Sequence, residues 1–185
     1  MVFKVADKKW HIVEGSAEQS MNSINMSNNQ SILDDLLFVR DVLKEKGYNP
    51  VYQFTGYILG NDPTYIPESL GARERMSKME PDEILEELVI FYLNAPGRSE
   101  LKDHMRYFSE YSVKAGKNPV DSIVARMLSG DPTYVSGTGT RTKLTYKDLM
   151  VMSPQKFYEA VQAIRDMDCD EALIEMLNEF FSMNG

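Results

Sequence analysis

Two histidines, one cysteine and a run of carboxylates are the side chains of this 185-residue chain with the widest chemical reach. A metal site on a helix needs a second ligand one turn away. The positions four residues beyond His11 and His104 are Gly15 and Phe108, so neither histidine has that partner. Cys169 has no histidine near it in sequence and therefore no local signature of a thiolate nucleophile. Asp166, Asp168, Asp170 and Glu171 are dense in charge but lack the glycine and ligand spacing of a calcium loop. They read as a solvated helix start, where carboxylates complement the backbone dipole. Gly137-Thr138-Gly139-Thr140 lacks the Gly-Lys-Ser/Thr of a phosphate loop and the third glycine of a dinucleotide fold. These residues predict no catalytic group, no cofactor and no metal.

The more informative chemistry is that of turns. Asp62-Pro63-Thr64-Tyr65 recurs as Asp131-Pro132-Thr133-Tyr134. In each, the aspartate can cap the turn that follows, while the tyrosine packs its ring and aims its hydroxyl at a partner. Upstream, Asn49-Pro50 and Asn118-Pro119 pair an N-cap residue with a proline at the first helical position, where no N–H is needed. These ten motif residues are the expected repeat marks. They are candidates first for architecture and second for an interaction surface.

The elements that position them are helical. Ser31 is a suitable cap. Ile32, Leu36, Val39 and Leu43 recur at helical spacing up to Gly47. A short helix covers 51–59. A longer helical region from about Pro67 to Leu93 is kinked or restarted at Pro81, with an apolar stripe through Ile84, Leu85, Leu88 and Tyr92. Ser99 caps a further helix, and Ser153-Pro154 another through Phe157, Val161 and Ile164. Ahead of all this, Phe3, Val5, Trp10, Ile12 and Val13 alternate roughly with lysines, as a short strand would. A Ser- and Asn-rich stretch then completes an arm over residues 1–30. Its Ser16, Ser20, Ser23 and Ser27 are candidate phosphoacceptors.

A shift of 69 positions lays Gly47 on Gly116, Asn49 on Asn118, Asp62 on Asp131 and Tyr65 on Tyr134, with nine of nineteen residues identical from Gly47 to Tyr65. A shift of 88 lays Asp82-Glu83-Ile84-Leu85 on Asp170-Glu171-Ala172-Leu173. A competing alignment of Met152 and Pro154 on Met79 and Pro81 matches fewer apolar positions. We read two tandem units, 31–95 and 99–185, the second carrying an insertion at about 136–155. Gly137, Gly139 and the alternating Lys143, Leu144, Thr145 and Tyr146 suggest a short β-hairpin or ordered loop there. Each unit alone is too small to bury much core, so the two are expected to pack as an intrachain pseudo-dimer, giving a mainly α monomer.

Composition narrows the function classes. A net charge of −8 opposes phosphate backbones, so no nucleic-acid partner is expected. The 43% hydrophobic content supports a packed core. No stretch is apolar enough for a membrane helix and the first residues lack a signal peptide's pattern. A single cysteine fits a reducing compartment. We expect a cytoplasmic protein without membrane contact.

Lys46-Gly47-Tyr48-Asn49-Pro50, Gly56-Tyr57, Asp62-Pro63, Tyr65-Ile66, Asp82-Glu83 and Glu86-Glu87-Leu88 occur in one order. Over residues 36–93 this pattern resembles the IreB family of small bacterial regulatory phosphoproteins. The second unit keeps only Asn118-Pro119, Asp131-Pro132 and Tyr134, with Ile164-Arg165, Asp170-Glu171 and Leu173 resembling the third helix. The resemblance implies a helical, non-enzymatic protein that works by protein contact in a Ser/Thr kinase-linked envelope-stress pathway, its partner being the kinase or a target. The characterised member of that family is phosphorylated on a threonine near its N-terminus. The first threonine here is Thr55, inside a helix, so that switch does not carry over. The alternative reading is a small-ligand-binding or enzymatic protein using a groove between the units, lined by Thr140, Arg141 and Tyr146.

Overall fold

Helix ends in this chain are written by caps, prolines and left-handed residues, and they divide it into eight helices among the described residues. The computed structural model describes residues 2–6, 9–13, 25–136 and 153–185, with side chains from residue 32 onward. Strands β1 (Val2–Ala6) and β2 (Lys9–Val13) pair antiparallel, Val2 opposite Val13. The helices are α1 (Asn25–Glu45), α2 (Pro50–Gly60), α3 (Ala72–Met76), α4 (Pro81–Asn94), α5 (Glu100–Lys114), α6 (Pro119–Ser129), α7 (Pro154–Asp166) and α8 (Cys169–Met183). Three single turns of 3₁₀ helix lie at Pro63–Tyr65, Ser69–Gly71 and Pro132–Tyr134.

The mainly helical reading holds, with differences in detail. Helix α1 starts at Asn25 rather than after Ser31. The polar run Asn25–Ser31 has no apolar period, and the start came from the first suitable cap. The N-terminal alternation is a two-stranded hairpin within the 1–30 segment. The region from Pro67 is broken into α3 and α4, and Pro81 begins α4. The hairpin expected in the insertion, with Thr140, Arg141 and Tyr146, lies outside the described residues.

The chain folds into two compact units that interrupt one another in sequence. One joins Ala17–Leu88 to Asp170–Gly185 and is called the α1 unit below. The other joins Met1–Ser16 to Val89–Cys169 and is called the α5 unit. The C-terminal helix therefore belongs with the N-terminal helices.

In the α1 unit, Leu36, Val39 and Leu43 of α1 and Phe54 and Ile58 of α2 are fully buried, as the apolar spacing requires. Arg75 ties α3 to α1: it pairs with Asp35 at 2.6 Å and lies 4.0 Å over the Phe38 ring. The buried Tyr57 hydroxyl donates to Met76 O at 2.9 Å. Helix α8 joins through Phe181, whose ring centroid is 5.6 Å from that of Phe54 and equally far from the Arg40 guanidinium.

In the α5 unit, α5 packs on α7 through Phe157, stacked on Tyr111 at 3.8 Å and near Phe108 at 6.1 Å. Buried Arg126 of α6 donates to Arg165 O at 2.9 Å and to Met167 O at 3.1 Å. Arg126 stands 69 positions after Tyr57, and both reach carbonyls at a helix end, Tyr57 at the end of α3 and Arg126 at the end of α7. The end of α4 is held by Arg106, which donates to Leu93 O at 2.9 Å, to Gly97 O at 3.1 Å and to Ala95 O. Unpaired terminal carbonyls thereby gain donors and a favourable charge. Lys102, buried beside Tyr92, has its ammonium 4.3 Å from that ring. Strand β2 runs against α5.

Candidate functional site

Each group of repeat-mark residues brackets one helix with the same geometry. The Asn49 side chain accepts from Val51 N at 3.0 Å, and Asn118 from Val120 N at 3.0 Å, with Pro50 and Pro119 opening the helices. Gly47 and Gly116 precede them with φ of +80° and +73°. At the far ends, Asn61 (φ 47°) and Gly130 (φ 70°) stop α2 and α6 in the left-handed region.

The two turns then repeat atom for atom. Asp62 accepts from Thr64 N at 2.9 Å and Asp131 from Thr133 N at 2.8 Å. Ile66 N donates to Pro63 O, and Val135 N to Pro132 O, both at 3.2 Å. The Thr64 hydroxyl also donates to Asp62 at 2.7 Å. The hydroxyl and amide of Thr64 hold the Asp62 carboxyl below its ordinary pKa; the amide and hydroxyl of Thr133 do the same for Asp131. The aspartates thus cap turns, as their spacing suggested. The two groups of five lie in different units, Asn49 to Tyr65 in the α1 unit and Asn118 to Tyr134 in the α5 unit.

What distinguishes the first group is the number of exposed tyrosines, since Tyr134 of the second is itself 53% exposed. Tyr65 is 43% exposed and its ring lies on α2 at Gly56. A Cβ there would stand 2.5 Å from the ring's Cε1 and 2.6 Å from Cδ1 and Cζ. Near-equal distances to three ring atoms mean the ring presents its face to the helix backbone. Tyr52, one turn earlier and therefore on the same helix side, is 62% exposed. Tyr48, just ahead of the Asn49 cap, is half exposed. At the matching positions of α6 stand Lys117, Asp121 and Ala125, leaving Tyr134 the one tyrosine of that face. Asp121 sits in the first turn of α6, where an acid favours the helix, whereas α2 has no acid in its first turn. An exposed tyrosine occupies that place instead.

Sequence reasoning singled out Tyr65 and missed Tyr52 and Tyr48. The signal was present in the spacing of Tyr52 and Gly56 but had no meaning until the Tyr65 ring was placed on that glycine. Leu70, 68% exposed at φ 53°, had no sequence signal, since a leucine rarely enters the left-handed region. Ser16, Ser20 and Ser23 lie outside the described residues, and Ser27 falls in α1. No group of residues that could hold a metal ion occurs among the described residues. No described helix is long and apolar enough to cross a membrane.

Tyr48, Tyr52 and Tyr65 thus place three exposed rings around the start and one side of α2. Residues 18–94 match the family model described as IreB regulatory phosphoprotein, a span that contains α1 to α4 and the whole tyrosine face. That family is one of regulatory phosphoproteins rather than enzymes. No solved structure matches the chain.

Proposed function

We propose that this chain is a non-enzymatic cytoplasmic regulatory or adaptor protein that binds a protein partner through the tyrosine face of α2. The observation that carries the reading is the Gly56–Tyr65 contact beside Tyr52. Large rings are kept at the surface there, although they would find better cover in a core. Tyrosine supplies contact area at low entropic cost together with a hydroxyl for specificity, and is favoured at protein interfaces. The match to a family of regulatory phosphoproteins supports a regulatory role and phosphorylation as the control. The Ser-rich arm with Ser16, Ser20, Ser23 and Ser27 is the proposed site of that control, with a Ser/Thr kinase or its target in an envelope-stress pathway as the proposed partner.

The second part of the proposal is that residues 31–95 and 99–185 are tandem copies of one ancestral unit, forming a monomer through an intrachain pseudo-dimer. The recurrence of caps, left-handed stops and turn hydrogen bonds at a constant shift supports duplication. So does the completion of the α1 unit by a helix encoded in the other copy. In this reading the first copy keeps the binding face and the second has lost it.

Partner capture from the native cell tests the first claim. Tyr52→Ser with Tyr65→Ser is expected to lose at least tenfold in recovered partner, and Tyr134→Ser to retain it. Equal recovery from the double variant and from Tyr134→Ser would refute the assignment of the face.

A further inference from the structure

Helix α2 carries no charged residue from Pro50 to Gly60, whereas its counterpart α6 carries Asp121 and Arg126. The helix nevertheless meets solvent along one side, through Tyr52, Gln53, Leu59 and Gly60, with the Tyr65 ring laid on Gly56. The polar groups around that side are not equally available. The Thr55 hydroxyl donates to Val51 O at 2.9 Å. The Asp62 carboxylate, just past the far end, accepts from both the amide and the hydroxyl of Thr64. Tyr48, Tyr52, Gln53 and Tyr65 form no side-chain hydrogen bond with a described residue. Three phenol hydroxyls and one carboxamide are therefore the unspent groups of this face.

Each kind of peptide ligand asks something different of its surface. A phosphorylated or acidic segment needs cations beneath it, and α2 has none. A basic segment needs carboxylates, and α2 has none of these either. An amphipathic helix keeps its own backbone bonded and brings no acceptors for the hydroxyls. An added strand needs an unpaired sheet edge, which a helix does not offer. A polyproline II segment meets the face as it stands. Its prolines present flat apolar rings and donate nothing, and its carbonyls have no internal partner. Tyrosine rings pack on such surfaces while their hydroxyls donate to such carbonyls. The dimensions agree. The Tyr65 ring stands where a side chain of residue 56 would begin, one helical turn beyond Tyr52. The stretch from Tyr48 to Gly56 covers on the order of 12 Å, the length of about four polyproline II residues.

We infer that the tyrosine face of α2 binds an uncharged, proline-rich segment of its protein partner in the polyproline II conformation, resting on the reading of this face as the binding surface. Charge complementarity selects a neutral occupant for a neutral helix side. A segment already extended before binding also loses little conformational entropy on a surface of rigid rings. The matching side of α6 has Lys117 and Asp121 where α2 has Tyr48 and Tyr52, so it lacks both the rings and the neutrality.

Full-length protein with isotope-labelled tyrosine rings is titrated with a pool of blocked peptides, each holding a Pro-x-x-Pro core and no charged residue. A matched pool has every proline replaced by alanine. Saturable shifts of the Tyr48, Tyr52 and Tyr65 rings with the proline pool alone are expected. Tyr52→Ser, an exposed change, should weaken binding at least tenfold, while Tyr158→Ser in the other unit should leave it within about twofold. Tyr65→Phe keeps the ring and removes the donor, and should weaken binding about threefold to tenfold. No shift up to millimolar peptide, an equal shift with the alanine pool, or full binding by Tyr52→Ser would overturn the inference. Partner capture from the native cell with the proline pool added separates the occupant from the face. Loss of the captured partner is expected. Capture that depends on Tyr52 and Tyr65 but ignores the pool overturns the proline segment and leaves the face standing. Capture that ignores both tyrosines removes the face as well.

Discussion

Gly56 and the Tyr65 ring compete for one volume, since a methyl at position 56 would meet three ring atoms at 2.5–2.6 Å. Tyr65 is at the surface, so the ring can swing outward instead of straining the helix, and alanine is the better helix former. Gly56→Ala should therefore change stability by no more than about 1 kcal/mol while lowering partner binding several-fold. Thermal melting and binding, measured on the same preparation, check the split; a parallel loss of both would mean the contact is structural. Glu87 in α4 shows a different residue-scale effect. Desolvation, assisted by Glu86, pushes its carboxyl up to about 7. A folded-state pKa above the unfolded value means the native state holds the extra proton between about pH 4.5 and 7. The stability contributed by this group is thus complete below about pH 4.5 and is lost as pH rises to about 7. Glu87→Gln should melt progressively higher than the parent as pH is raised from about 5 to 8, and a pH-independent difference would contradict the shift.

The helices were legible where sequence states their ends. Asn-Pro, Ser-Pro and Ser99 each announce a start, and Gly47, Gly116 and Gly130 a stop, because those positions need a side-chain acceptor or a positive φ. The beginning of α1 was missed by seven residues because Asn25–Ser31 contributes neither cap contrast nor apolar period. The strands showed themselves only as loose alternation, too weak to specify a hairpin. The paired caps make a quantitative expectation at this scale. Asn49→Ala and Asn118→Ala should each cost about 1 kcal/mol, a drop of roughly 2–4 °C in Tm for a chain of this size. A large loss from one and none from the other would show that the matching geometry does not carry matching energy.

At the scale of the molecule, the division into units was not legible. The apolar stripes of α4 and α8 tell that each must be covered, but not by which neighbours. A periodic stripe has no address, and contacts far apart in sequence leave no local mark. So residues Asp170–Gly185, read as the end of the second copy, complete the unit built on α1 and α2. The candidate face was half visible for a related reason. Tyr65 stood out through its turn, whereas its relation to Tyr52 exists only once the chain has folded back across Gly56. The family match ends at residue 94, so Tyr48, Tyr52 and Tyr65 lie within the matched span, whereas the exposed Tyr134 and Tyr158 lie beyond it. A photo-crosslinking residue placed at position 52, compared with one at the matching position 121 and read out in the native cell, tests this division most directly. A covalent adduct to a partner protein is predicted from position 52 and none from position 121. No adduct from 52, or adducts of equal yield from both, would contradict the proposal that the first copy holds the binding surface.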